Sequence, residues 1–414
     1  MQEKSDVRIN ILWNTFGTIF YCIAQWAITI LVVRLDSFGA SGQLSLAMTT
    51  SSSFAAISLF SMRNYQVSDV DAKYKTMHYV GSRVITCVLA FVLCMIYGML
   101  SSYTMYQMGC VAFFMVVRIA EAIVDVLHGI DQKYEKYDII GKSYIARGIV
   151  TVAVFSVVLI ITHDMLITLA FMAVGNLAVA IFWDIRETWK LERLTAIIKD
   201  KQVATLLFTC VPLAIFSFFL SMENLWPKTV LQNMYGEEAL GIYASIASPT
   251  LVVQVGAQVV FSPLLPSFTR VYNDGEYKKF RDMFHKVLIV LVGVCVFVAI
   301  AAAIVGRWGL NLLYGEVILE YYELFMPIVF STIGMALIWV LQAIVIGIRE
   351  IYPMLLGIVI DFLICYFSCG WFLEKFGWNG ASFVQIVCLF GLAIYLVLIC
   401  ELNVHRKFNA KDGK

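Results

Sequence analysis

The chain has 414 residues, of which 61% are hydrophobic and 14% charged, with a formal net charge of +1 and a mean hydropathy of +0.82. The charged share is about half that of a soluble domain, which excludes a soluble fold and defines a polytopic membrane protein. The near-zero charge gives no sign of a nucleic-acid partner, because the basic residues lie in short loops.

The opening MQEKSDVR leads straight into a full-length apolar run with no small-residue cleavage site, so no cleavable signal is expected. Apolar runs of about 18 to 25 residues then recur, each long enough to cross ~30 Å of hydrocarbon. Twelve spans are predicted, at 11–33, 43–62, 80–101, 106–127, 145–162, 165–183, 205–225, 240–264, 285–306, 323–347, 352–373 and 380–400. With the N-terminus inside, the inner segments hold 25 Lys and Arg, including Arg63, Arg83 and Arg147. The outer segments hold only Arg34, Lys228, Arg307 and Lys375, and Arg118 is left within the membrane. That bias follows the positive-inside rule and places both termini in the cytoplasm. The expected architecture is all-α, with about 12 transmembrane helices in two six-helix lobes (1–183 and 205–400) and a cytoplasmic tail at 401–414. The basic stretch 184–204, in which Ile185, Trp189, Leu191 and Leu194 alternate with charges, reads as an amphipathic helix on the cytoplasmic face or as a plain linker. Two six-helix lobes are a common transporter plan. No loop is large enough for a catalytic domain and none is a glycine-rich phosphate loop, so an enzyme is not expected.

In the first span, Asn14, Gly17, Tyr21 and Gln25 share one face. This uncharged stripe either lines a hydrophilic passage that binds sugar hydroxyls or forms a hydrogen-bonding seam between helices. Arg34 ends the span, as an interface anchor or a passage residue. The run Thr49–Ser53 in the second span reads as small residues permitting close helix packing. Arg63, at the inner end, is a candidate for a lipid phosphate or a simple topology charge.

The fourth span carries the strongest signal. Arg118, Glu121, Asp125 and His128 fall within an arc of about 80° on a helix. Each mid-membrane charge costs about 2.5–3.5 kcal/mol on insertion scales, so the stripe must face protein or water. Arg118 and Glu121 are spaced to pair, and the stripe extends about 15 Å beyond Arg118 toward the inner face. Arg118 is the expected deep cation and suits a phosphate, because its planar fork binds bidentately. Glu121, Asp125 and His128 can take up protons. Later acids are Glu223, expected at the outer interface of the seventh span, and Asp361, read as a lone buried acid in the eleventh and a candidate for ion coupling. Gln254, Gln258, Gln342 and Gln385 are further inward-facing polar candidates. The ten cysteines are scattered, and no Cys-x-x-Cys or Cys/His spacing occurs; they read as small packing residues, and neither a metal site nor a cofactor is expected.

Three stretches carry a resemblance to a family. One runs from Glu223 to Gly275 and includes Pro227-Lys228, Gly236, Gly241-x-Tyr243, Pro263-x-x-Pro266, Tyr272 and Gly275. The others are the opening NxxWNTFG (Asn10, Trp13, Asn14, Gly17) and RxAExxxDxxHGxxQKxxxxDxxGxS from Arg118. Together these resemble the bacterial polysaccharide flippases of the multidrug/oligosaccharidyl-lipid/polysaccharide exporter superfamily. The resemblance implies a V-shaped, two-lobed fold and alternating access in the cytoplasmic membrane. The cargo it implies is an undecaprenyl-pyrophosphate-linked oligosaccharide, with membrane lipid, glycosyltransferases and a polysaccharide polymerase as partners and a monomer as the working unit. Arg118, Arg63, Arg34, Asn14, Tyr21, Gln25, Gln254 and Gln258 would then serve the head group, and Glu121, Asp125, Asp361 and Glu223 would serve coupling. A drug or ion antiporter of the same superfamily, centred on Asp361, is the alternative.

Overall fold

A computed structural model describes residues 2–63, 66, 74–250, 261 and 265–412. All regular structure among them is helical. The first six long helices are α1 (Gln2–Leu35), α2 (Phe38–Leu59), α3 (Thr76–Leu100), α4 (Met105–Lys133), α5 (Tyr137–Thr162) and α6 (Met165–Val179). They are followed by α7 (Lys201–Tyr235), α8 (Glu237–Ala247), α9 (Tyr277–Tyr314), α10 (Phe325–Gly347), α11 (Ile351–Phe376) and α12 (Asn379–Asp412). Every predicted span falls on one of these helices, the eighth only in its first part, since most of 251–264 lies outside the described residues. Nine of the described helices are apolar and long enough to cross a membrane by composition. The helices bearing the hydroxyl run and the charged stripe, α2 and α4, have 22 and 29 residues. At 1.5 Å per residue they reach about 33 and 43 Å, enough to span as well.

The chain divides into two compact units, Met1–Ser221 and Met222–Lys414, with the division inside α7. In the first unit α1 lies along α5, α2 along α4, and α6 against both α4 and α5. The α1–α5 contact is a backbone approach. A Cβ on Gly17 would sit 2.3 Å from the Gly141 carbonyl oxygen, and one on Gly141 would sit 2.2 Å from that of Trp13. Only glycine fits on either side, so two glycines read from separate motifs form one joint. The hydroxyl run packs as expected: Ser51 donates to the Val111 carbonyl and Ser53 to that of Ser221.

The segment after α6 departs from its sequence reading. It is no amphipathic surface helix. Instead α6 continues through a π-helical turn (Ala180–Ile185) into Arg186–Leu191, and 192–200 is not helical. Asp184 and Thr188 are buried while Trp189 is exposed, because the two polar side chains have partners on α4 that hold this end inside the bundle. Ile197 donates its N–H to the Met77 carbonyl and rests on Gly81 of α3.

In the second unit α10 and α11 pack on α12. Gly236, before α8, and Gly275, before α9, have φ of +90° and +73°, a left-handed backbone that favours glycine and turns the chain between helices. Pro227 does not end the seventh helix, which continues to Tyr235. Proline has no N–H to offer the Glu223 carbonyl one turn back. The Gln385 amide on α12 donates to that oxygen instead, at 3.2 Å.

Candidate functional site

The polar stripes of α1 and α4 meet inside the first unit. Arg118 Nη1 lies 2.6 Å from Glu121 Oε2, the i,i+3 pair expected from the sequence. The Tyr21 hydroxyl donates to the other Glu121 oxygen, and Gln25 Nε2 donates to Tyr21 at 2.9 Å. Both Glu121 oxygens are therefore engaged. The Arg118 and Glu121 side chains each keep 18% of their surface accessible. Asn14 sits seven residues before Tyr21, about 10 Å along the axis, beside the Gly17–Gly141 joint, and is not part of this chain of bonds. Arg34 is thirteen residues past Tyr21, about 20 Å away along α1. Gln254 and Gln258 lie outside the described residues.

Arg118 is not the only deep cation. Arg83 and Arg147, assigned by the charge count to inner loops, are each 1% exposed. Arg147 lies ten residues into α5, with its guanidinium carbon 5.9 Å from the centre of the Tyr21 ring. Its Nε and Nη2 are buried without a hydrogen-bond partner. Glu121 lies within its field but already serves Arg118 and Tyr21. A buried guanidinium left in this state is costly unless an anion completes it.

One turn further along α4, Asp125 bridges two arginines. Arg83 Nη2 contacts one oxygen at 2.8 Å and Arg63 Nη1 the other at 3.3 Å, and Arg83 Nη1 also donates to the Ser58 carbonyl at 2.5 Å. Asp125 is thus a structural counter-ion shared by three helical segments. The Arg118–Glu121–Arg147 and Arg63–Asp125–Arg83 groups each hold one more guanidinium than carboxylate, an excess of two positive charges in groups whose carboxylates are about 6 Å apart along α4.

The stripe does not continue as an open face. His128 is 1% exposed and its Nε2 pairs with Asp184 Oδ1 at 3.2 Å, a contact within protein. Asp131, beyond the apolar stretch of α4, accepts from Thr188 at 3.0 Å. Burial pushes its carboxyl up to about 7. A carboxyl near 4 when unfolded and near 7 when folded costs stability as pH rises between those values, and the full cost applies above 7. Asp131→Asn is therefore expected to raise the thermal midpoint by several degrees at pH 8 and to match the wild type below pH 4, as measured in detergent across that range.

The second unit holds its own polar centre. Glu223, expected at the outer interface, is fully buried within the protein, on a helix that continues past it to Tyr235. Asp361 is not alone: it lies within hydrogen-bonding reach of Glu223. Among the described residues no donor reaches either Glu223 oxygen or Asp361 Oδ2, so a shared proton or a cation is the natural bridge between the two carboxyls. Lys228, placed outside by the charge count, lines a small cavity of about 60 Å³ with Asn224, Tyr243 and Gln385.

Two solved structures resemble the chain over nearly its whole length. An inward-facing multidrug resistance MATE family transporter of the MOP superfamily superposes with a TM-score of 0.70, at 10% identity, covering 97% of this chain and 99% of that one. The Vibrio cholerae MATE transporter VcmN gives 0.62 at 11% identity, covering 99% of both. The chain therefore has the fold of the MATE transporters of the MOP superfamily: a multi-pass, all-helical membrane transporter fold. A relative by sequence is the Staphylococcus aureus capsular polysaccharide biosynthesis protein CapF, 24% identical over 341 residues, covering 80% of this chain and 82% of that protein. No protein-family model matches the chain.

Proposed function

We propose that the protein moves a polyprenyl-pyrophosphate-linked oligosaccharide from the inner to the outer leaflet of the bacterial cytoplasmic membrane, supplying surface polysaccharide synthesis by alternating access. The observation that carries this reading is Arg147, a buried guanidinium with two unpartnered nitrogens beside a cluster already rich in arginine. A pyrophosphate diester bears two negative charges, equal to the excess of the two arginine groups, and guanidinium donors suit its oxygens. Tyr21 and Gln25 beside it offer hydroxyl and amide contacts for sugars. The polyprenyl tail can stay in lipid while the head crosses, and the sequence relationship to a capsular polysaccharide biosynthesis protein supports a role in surface polysaccharide synthesis. The basic-residue bias supports cytoplasmic termini. Glycosyltransferases on the inner side would supply the cargo, and a polymerase on the outer side would consume it.

In this reading Arg118, through its tie to Glu121, positions the head-group site, and Arg63 serves the inner end. Arg118→Ala is expected to abolish surface polysaccharide display at normal expression, and Arg118→Lys to keep part of it. Capsule staining of a complemented deletion strain reads both, and full display by Arg118→Ala would end this role.

The Glu223–Asp361 pair supports a second reading, a drug or ion antiporter of the same fold, since buried carboxyls suit a cationic cargo. The two readings diverge at the arginines: a cationic drug is repelled by Arg147, whereas a pyrophosphate requires it. In the flippase reading the carboxyl pair supplies coupling, by exchange of the bridging proton or cation as the transporter changes state.

A further inference from the structure

Two thiols stand beside the buried carboxyls of the second unit. Glu223 on α7, Cys365 on α11 and Cys388 on α12 bring a carboxylate oxygen and two Sγ atoms within 4.8 Å of one another. All three residues are at most 2% exposed. Both Glu223 oxygens lack a donor, and so does Asp361 Oδ2, one turn before Cys365. Tetrahedral coordination with metal–sulfur bonds of about 2.3 Å and metal–oxygen bonds of about 2.0–2.2 Å places ligand atoms about 3.4–3.8 Å apart. A separation at the 4.8 Å limit has to close by about 1.0–1.4 Å to reach that geometry. Two sulfurs and a carboxylate form a borderline-soft set, suited to zinc-class ions and poorly suited to alkali or alkaline-earth cations. A cavity of about 380 Å³, walled mainly by Ile360, Ile364, Val387 and Gly391, borders Asp361 and Cys388.

We propose that Glu223, Cys365 and Cys388 form a binding site for a thiophilic divalent cation, with Asp361 completing the fourth position. The two thiols lose their protons to solvent as the metal–sulfur bonds form. Sequence spacing hides this set because its members come from three helices and Glu223 is 142 residues from Cys365. The site lies entirely in the second unit, so it holds whatever cargo the protein carries.

Cadmium alone, titrated into the purified full-length protein in nanodiscs, is the probe. One equivalent is expected to give an ultraviolet thiolate-to-metal charge-transfer band and to raise the thermal midpoint. Cys365→Ser and Cys388→Ser should each remove about half of the band, the double variant all of it, and Glu223→Gln should weaken binding about tenfold or more. Absence of the band from the wild type would overturn the proposal, as would a band of full strength in the double variant, since the eight other cysteines would then carry it. Metal-free thermal midpoints check that each variant is folded, and where the double variant is not, the two single variants decide.

Discussion

Arg147→Met is expected to raise the thermal midpoint of the purified protein by several degrees while abolishing surface polysaccharide display. The two effects have one cause. Arg147 keeps a positive charge in the protein interior with two nitrogens unpartnered, and methionine of similar length removes that desolvation cost. Replacing buried ion pairs by packed apolar side chains ranges from neutral to stabilising by about 1–4 kcal/mol, and the gain here is expected at the low end of that range. Glu121 keeps its bonds to Arg118 and Tyr21 and loses only the longer-range attraction of Arg147. A merely structural arginine behaves in the opposite way and destabilises when removed. Stability stored as an unpaired charge and recovered on binding is the trade expected of a ligand site. Added polyprenyl pyrophosphate should raise the wild-type midpoint and leave that of Arg147→Met unchanged. Differential scanning fluorimetry with and without the lipid reads both parts; a fall in midpoint for the lipid-free variant would assign Arg147 to packing.

Asp125→Asn should have the opposite sign. The substitution keeps the shape of the side chain and removes the carboxylate that bridges Arg83 and Arg63. Arg83, at 1% exposure, would be left as a buried charge facing only neutral acceptors among the described residues, the Ser58 carbonyl and the new amide oxygen. Breaking one side of a buried pair costs about 3–5 kcal/mol, a large part of the stability of an ordinary domain. Little folded protein should be recovered in detergent. Adding Arg83→Met should restore part of the yield, because the stranded charge is then gone. Fluorescence-detected size-exclusion chromatography of the two single variants and the double variant closes the cycle. Equal recovery of Asp125→Asn and the wild type would show that the bridge contributes nothing.

The sequence showed most where the bilayer dictates the pattern. Span length is set by hydrocarbon thickness, so twelve apolar runs could be read directly. The Arg118–Glu121 pair followed from helical spacing alone. What the sequence hid depended on helix ends and on contacts between helices. The fifth span, read from 145, begins as a helix at Tyr137, which moves Arg147 from a loop edge to a buried position. The small residues around it, Gly141, Ser143 and Gly148, are the visible trace of that close-packed face. Arg83 has the same kind of trace in Ser82 and Thr86. Pro227-Lys228 reads as the end of the seventh helix, which puts Glu223 near a helix end; a distant amide, Gln385, keeps the helix bonded there. The meeting of Tyr21 with Glu121 spans 100 residues, and no local period encodes it. His128 shares the α4 stripe by angle, yet Asp184, carried in by the π-helical turn, closes that end of it.

Reconstitution tests the central claim most directly. Purified protein in liposomes is given a fluorescent polyprenyl-pyrophosphate-linked oligosaccharide, and its appearance in the opposite leaflet is followed by quenching from outside. The wild type should move the lipid well above the protein-free rate, and Arg147→Met should not exceed that rate. Wild-type transport of a cationic drug, with the pyrophosphate lipid moving no faster than in empty liposomes, would contradict the account and assign the protein to the antiporters.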